Sequence, residues 1–260
     1  MNGTVTVLDK GEVRIHSYMA PEKSVNVTSQ IIETPERLIV VDGQFLGPFA
    51  DEAAEYARSL GKPIDRLVIT HGHPDHYAAA ARWGAPLVSL PEVRDAILAR
   101  GDVHLPTGGL VPVADVTPDG SVRVGEEVVD GVLLTFEHVV GGEAHDQLLI
   151  ALPDHGVLIA QDLVYHDVHL YFGERDIDGW QRAVSLLAQA EGYDTVLAGH
   201  GLPTTPAVFG ELERYLADAA ELLGDDGAAY KAAITKRYPE YGGQFVIDIA
   251  NRSLFPGAAG

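Results

Sequence analysis

The chain of 260 residues is 46% hydrophobic, enough to bury a sizeable core. Its 38 acidic against 18 basic residues give a formal charge of −20, and the basic residues are scattered singly, so nucleic acid is excluded as the expected partner. Cysteine is absent, which removes disulfides, thiolate metal sites and thiol nucleophiles together.

Residues 4–8, 13–19, 25–33 and 37–42 read as strands, rich in β-branched side chains as in VNVTSQIIE. PFADEAAEYARSLG (48–61) has apolar residues at helical spacing, Pro48 near its start and Gly61 at its end, so it reads as a helix. RLVIT (66–70) is a short buried strand that delivers THGHPDHY, and Asp75 with His76 opens a helix continuing through YAAAARW. PLVSL and PEVRDAILAR add a strand and a helix. Residues 101–121, with Gly108–Gly109 and three prolines, read as a long loop and as the seam between two similar halves.

After the seam the pattern restarts. SVRV, VLLTFEHVV, QLLIALP and GVLIAQDLV are strands, residues 178–190 form a helix, and DTVLAGHG is a strand ending in a loop. The last fifty residues read as helical. Strands then helices, twice over, predict an α/β chain with two sheets packed face to face and helices outside. Neither half would bury its sheet alone, so residues 1–260 are expected to form one domain with a helical extension over about 226–260. No apolar run approaches a membrane span and MNGTVTVLDK lacks the order of a signal peptide, so a cytoplasmic protein free of membrane is expected.

THGHPDHY (70–77) crowds His71, His73, Asp75 and His76 together. In an extended loop, residues i and i+2 project the same way, so His71 and His73 can share one ion. A turn into helix at Asp75 aims Asp75 and His76 at a neighbouring point, which suits two adjacent ions better than one. The bland alternative is a helix start whose Asp serves only as a cap.

This stretch resembles the T-H-x-H-x-D-H signature of the metallo-β-lactamase-fold hydrolases. The resemblance implies an αββα sandwich and extends over at least residues 4–225. VVDG (40–43) resembles the strand-ending Asp before the first helix, and Asp42 is expected to orient a ligand rather than touch metal. LIAQDLV (158–164) resembles the strand whose Asp, here Asp162, bridges both metals, although Gln161 stands where the family usually has Gly. LAGHG (197–201) resembles the late loop whose His, here His200, completes the second site. The family's G-H-T is missing. In GGEAHDQLLIALP, alignment on the following strand places Glu143 where that His would stand, as in the Glu-containing loop of the alkylsulfatase branch; His145 is the alternative.

The resemblance therefore implies metal ligands His71, His73, Asp75, His76, Glu143, Asp162 and His200 around two divalent ions, zinc first and manganese or iron as alternatives. Two ions bring about +4; Asp75, Asp162 and a bridging hydroxide remove three charges, and Glu143 takes the total to about zero. A less Lewis-acidic first metal, tolerant of harder ions, is the expected consequence. The expected reaction is hydrolysis by the hydroxide held between the ions, with Asp75 and Asp162 as catalytic groups.

Tyr165 resembles the Tyr of the Asp-x-x-Tyr in family lactonases and could donate to a developing oxyanion; an ordinary core Tyr is the equal alternative. HDVHLYFGER is expected to line the cleft entrance, with His166, His169, Tyr171, Phe172 and Arg175 as substrate-binding residues. His16, His104, His138 and His155 show no ligand spacing and are read as structural or solvent-facing. Tyr230, Tyr238 and Tyr241 are read as core or homodimer packing. Small carbonyl substrates (lactone, ester or thioester) rank first, sulfate or phosphate esters second. A mononuclear iron oxygenase acting on a persulfide and a metal-binding protein without turnover are the rivals from other classes.

Overall fold

The structure, a computed structural model, describes residues 1–256. The chain opens with an antiparallel meander of β1 (Thr4–Lys10), β2 (Val13–Met19), β3 (Thr28–Glu33) and β4 (Leu38–Val41). Pairing then turns parallel. Helix α1 (Gly47–Ser59) crosses to β5 (Ile64–Ile69), which lies parallel to β4, and β6 (Leu87–Ser89) lies parallel to β5. Helix α1 buries Ala50, Ala53, Ala54 and Ala57, small side chains that let the helix lie close to its neighbours.

The short α2 (Pro74–Tyr77) precedes β6, and α3 (Pro91–Arg100) follows it. The expected helix through YAAAARW is broken after Tyr77 and resumes as a 3-10 turn at Ala80–Trp83. The reason is local: the Ala79 N–H donates to the Gln44 carbonyl and the His76 carbonyl accepts from the Gly43 N–H, bonds a continuous helix would consume internally.

The expected loop over 101–121 contains short structure. A hairpin of β7 (Val103–His104) and β8 (Leu110–Val111) closes around Gly108–Gly109, and α4 (Val113–Val116) leads to β9 (Gly120–Ser121), parallel to β6. The strand expected at SVRV is confined to β9; the next strand, β10 (Gly125–Val129), begins later, after the chain turns at Gly125. Likewise β3 starts at Thr28, not at residue 25, because Val25 and Asn26 adopt left-handed conformations after a 3-10 turn at Glu22–Ser24.

The second sheet runs β10, β11 (Val132–Val140), β12 (Asp146–Leu152), β13 (Val157–Tyr165) and β14 (Thr195–His200), antiparallel except for the β13–β14 pair. Helix α5 (Ile177–Leu187) connects those last two strands, and α6 (Ala207–Leu222), α7 (Gly227–Arg237) and α8 (Gln244–Leu254) follow.

The pleat of the second sheet explains the layering. Leu148, Ile150, Val157, Ile159 and Leu197 point into one core that also holds the first sheet, α1 and α3. Their neighbours Leu149, Ala151, Leu158, Ala160 and Val196 point into another core with α5 to α8. Alternate residues on a strand face opposite ways, so one sheet feeds two cores. Helices thus flank two face-to-face sheets in an αββα arrangement. Among the described residues no helix is long and apolar enough to cross a membrane.

Candidate metal centre

Strand ends deliver the side chains of the site. The loop after β5 carries His71 and His73, α2 carries Asp75 and His76, the β11–β12 turn carries Glu143, β13 carries Asp162 and β14 ends in His200. His71, His73, Glu143 and Asp162 place one donor atom each within 4.8 Å of one another, and Asp75, His76 and His200 do the same. Asp162 reaches both groups: its carboxylate lies 3.6 Å from His71 Nε2, 3.0 Å from His76 Nε2 and 3.2 Å from His200 Nε2. His73 Nδ1 lies 2.9 Å from Glu143 Oε1.

Each imidazole is held by the nitrogen that faces away from this centre. His71 Nδ1 meets Thr70 Oγ1 at 3.0 Å, His73 Nε2 meets Glu174 Oε1 at 3.0 Å, His76 Nδ1 meets Asp42 Oδ2 at 2.8 Å, and His200 Nδ1 meets the Val25 carbonyl at 2.7 Å. Such outer partners fix ring orientation and tautomer. The left-handed turn at Val25 acquires its purpose here, since it turns a carbonyl toward His200.

A distance criterion also groups Asp42 with His71 and His76. The hydrogen bonds assign Asp42 another place: its oxygens accept from the Thr70 N–H, the Thr70 hydroxyl and the Gln161 amide, besides facing His76. It braces the site from outside, the role expected for it. Gln161 takes a left-handed φ of 43° within a bulged β13. A glycine would adopt that conformation freely; the side-chain bonds of Gln161 to Asp42 and Gln30 hold it there instead. Gly199 is needed for space, because a Cβ there would come within 1.8 Å of Asp162 Oδ1.

The electrostatics follow from crowding. Burial and the neighbouring His76 push His71 well below its ordinary value. Burial also works against protonated His73 and His200, yet Glu143 lifts the first and Asp162 the second, each to about 10. His76 is likewise raised, burial being overcome by Asp162 and Asp75. Burial raises Glu143 to about 7 although His73 opposes it. For Asp75 and Asp162 burial is outweighed by His76 and His200, and both sit below the usual carboxylate range. Burial and Asp162 together push the Tyr165 hydroxyl well up, which keeps it a proton donor.

These residues fit a metal on chemical grounds. His71 Nε2 and Glu143 Oε2 are buried without a hydrogen-bond partner, and His76 Nε2 and Asp162 Oδ1, though 3.0 Å apart, are not aligned for a hydrogen bond to each other; all four belong to the donor groups. Buried polar atoms left unpaired are costly, and a cation is the partner common to imidazole nitrogen and carboxylate oxygen. Glu143 joins the donors, whereas the His145 side chain is 77% exposed and lies 2.9 Å from Asp146.

Above the donors lies a cleft of about 230 Å³, somewhat below the usual range for ligand sites. His73, Asp75, Glu143, Tyr165 and His200 form its polar side; Val25, Phe45, Tyr171, Val246 and Ile249 make it apolar, and Arg100 stands at its edge. Tyr165 donates to Asp162 Oδ2 at 3.0 Å and stacks on His200.

Of the five expected substrate-binding residues, the cleft contains Tyr171. The others are corrected by their contacts. His166 Nδ1 turns to the Leu202 carbonyl, in a separate surface depression with Asn26 and Gly201. His169 is buried against Tyr215, 2.8 Å from its hydroxyl, and burial lowers it to about 4. Phe172 is core, packed on Trp180 and Tyr215. The Arg175 guanidinium donates to the Ser253 and Leu254 carbonyls at the end of α8. The sequence reading missed Arg100, Glu174 and the apolar walls; Glu174 lies inside the very loop it singled out, beside the chosen residues.

The family described as the metallo-beta-lactamase superfamily matches residues 24–200 of this chain. An alkyl/aryl-sulfatase of Saccharomyces cerevisiae is 27% identical over 67% of this chain, and a linear primary-alkylsulfatase of a Pseudomonas species 26% identical over 67%. The chain spans 34% and 41% of the length of these relatives. A metallo-beta-lactamase from Pontibacter korlensis superposes with a TM-score of 0.65 at 21% identity, covering 83% of this chain and 100% of its own. The metallo-beta-lactamase FIM-1 from Pseudomonas aeruginosa, described in a mono-zinc form, gives 0.63 at 21% identity, covering 86% and 98%. These two likenesses establish the fold.

Proposed function

The chain belongs to the metallo-beta-lactamase superfamily, and we propose that within it the protein is a hydrolase using two divalent ions, zinc first, to cleave the sulfate ester of a small apolar alcohol. The observation that carries this reading is Glu143, buried among the donors with Oε2 unpartnered, beneath a cleft whose walls are mostly apolar. The two relatives named as sulfatases support it. The order expected from sequence, with carbonyl substrates first, is thereby reversed.

His71, His73 and Glu143 would hold one ion and Asp75, His76 and His200 the other, with Asp162 between them. Divalent ions supply Lewis acidity and bring the pKa of water toward neutrality. The protein's own groups do the rest. Asp75, kept ionised by His76 and His200 and with its side chain 22% exposed at the cleft, can accept at Oδ2 the proton that the attacking water gives up and hand it to the departing alkoxide. Arg100, 3.7 Å from the Glu174 carboxylate, places a partly offset positive charge on the cleft lining, where an anionic ester enters against an acidic chain. The apolar walls exclude water and strengthen each of these interactions.

A carbonyl ester is the second reading, favoured by Tyr165. Its hydroxyl remains protonated and lines the cleft, and by turning its proton from Asp162 Oδ2 it can donate to a carbonyl oxygen as charge develops.

Hydrolysis of alkyl sulfates, phosphate monoesters, carboxylic esters, thioesters and lactones by the metal-loaded protein tests the choice. Sulfate esters are expected to give the highest kcat/KM, and His71→Ala to lower it by about 100-fold or more. A carbonyl class in first place would install the second reading. Equal activity of His71→Ala and wild type would remove both.

A further inference from the structure

Helix α8 lies beyond residues 24–200, the stretch matched to the family, yet it supplies two of the cleft's apolar side chains, Val246 and Ile249. It buries Val246, Ile247, Ala250 and Leu254, the stripe of an amphipathic helix seated on the protein. The stripe splits between two cores: Val246 packs with the first sheet and its helices, while Ile247, Ala250 and Leu254 pack with α5 to α7. Helix α8 therefore lies across the join of the two halves, beside the donor groups they assemble. Ile249, on the face of Val246, stays 41% exposed. A lone exposed isoleucine needs no explanation, but this one borders the same cleft as His73, Asp75, Glu143 and His200.

The helix is tied down from several directions. Gly243 precedes it in a left-handed conformation with φ of 69°, and a Cβ there would come within 2.7 Å of Val168. The Gly242 carbonyl accepts from the His169 N–H at 3.0 Å, and the Gly242 N–H donates to the Asp167 carbonyl at 2.9 Å. Lys231 pairs with Asp248 at 2.6 Å, turning the charged residue beside Ile249 toward α7. Asn251 donates to the Gly227 carbonyl at 2.8 Å, and Arg175 secures the last turn through the Ser253 and Leu254 carbonyls. The loop assigned to substrate thus reaches the cleft directly through Tyr171 and indirectly through Arg175, which holds α8.

We infer that α8 is the specificity wall of the cleft, and that Val246 and Ile249, which line it together with Phe45, form a subsite for the linear apolar chain of the substrate. The inference rests on the hydrolase reading for the head group alone. A donor cluster at one side fixes the polar head, and an apolar strip fixes what extends from it. Each methylene laid on the strip should tighten binding about fourfold until the chain passes Ile249.

Binding of a series of n-alkyl sulfonates, which present the anionic head without a cleavable ester, measures this by titration calorimetry on the metal-loaded protein. The wild type should gain about fourfold in affinity per added methylene over the shorter members. Ile249→Ser should flatten that rise, and Val246→Ala should reduce it, while Leu186→Ser, on the exposed surface of α5, should leave it as in wild type. The same series of alkyl sulfates should show the change in KM with kcat nearly constant. Since Ile249 is 41% exposed and lies outside the buried stripe of α8, its serine variant should remain folded, which a thermal melt checks. An equal slope in Ile249→Ser and wild type, or no dependence on chain length, would overturn the inference. A slope that Ile249→Ser abolishes, with no sulfate ester cleaved, would uphold the wall and refute the sulfatase reading.

Discussion

The two halves of the molecule build the centre in different ways. The first half contributes His71, His73, Asp75 and His76 from one loop and the turn of helix it enters. The second contributes Glu143, Asp162 and His200 from three strand ends far apart in sequence. The first set is fixed by local geometry, braced by Thr70 and Asp42 on neighbouring strand ends; the second depends on the whole sheet bringing β11 to β14 into register. A compact motif can therefore survive as a pattern, while the residues that complete it have meaning only through topology.

Breaking the second set should have the larger effect if Asp162 joins both donor groups. Asp162→Ala removes a carboxylate from each and should lower metal affinity by well over 100-fold at both positions, measured by competition with a chelator. Glu143→Ala should strip one position and spare the other, whereas His145→Ala should change neither. Metal content after dialysis separates these outcomes; loss of metal in the His145 variant would reassign the ligand.

The outer supports sharpen the comparison at smaller scale. Asp42 is fully buried and the Glu174 side chain is 41% exposed, so the two test how much a partner's burial matters. Asp42→Ala should cost about 10–100-fold in metal affinity, and Glu174→Ala should fall at or below the lower end of that range, because water can replace the partner of His73 Nε2.

A last effect, on stability and not on metal affinity, lies outside the centre. Buried Glu33 pairs with Arg14, His16 and Lys62. Burial alone would raise its pKa, but Lys62, His16 and Arg14 lower it to about 2. A carboxyl depressed on folding contributes stability that is complete above its unfolded value, about 4.3. That contribution is lost as pH falls toward 2. Thermal melts should show Glu33→Gln destabilised by about 2 kcal/mol at pH 7, the gap closing as pH falls through this window.

What the sequence made legible follows the same division. The strands, α1 and the αββα layering were readable because hydrophobic periodicity is local and strong, and THGHPDHY stood out through its spacing. Gln161 looked like a departure, and only the side chains of Asp42 and Gln30, distant in sequence, account for its glycine-like backbone. His169, Phe172 and Arg175 were misread because position in a loop near Asp162 does not determine which way a side chain turns. His169 and Phe172 fill the core under α6, and Arg175 meets the carbonyl end of α8, 78 residues further along for Ser253. Val246 and Ile249 carried no signal of their own, since an apolar residue on an amphipathic helix reads as core until a fold places it over a cleft.

The most direct test is anomalous X-ray scattering at the zinc edge from crystals of the zinc-loaded protein. Two peaks are predicted, one among His71, His73, Glu143 and Asp162 and the other among Asp75, His76, His200 and Asp162. No peak within this cluster, or a peak on His145 with Glu143 turned away, would contradict the account.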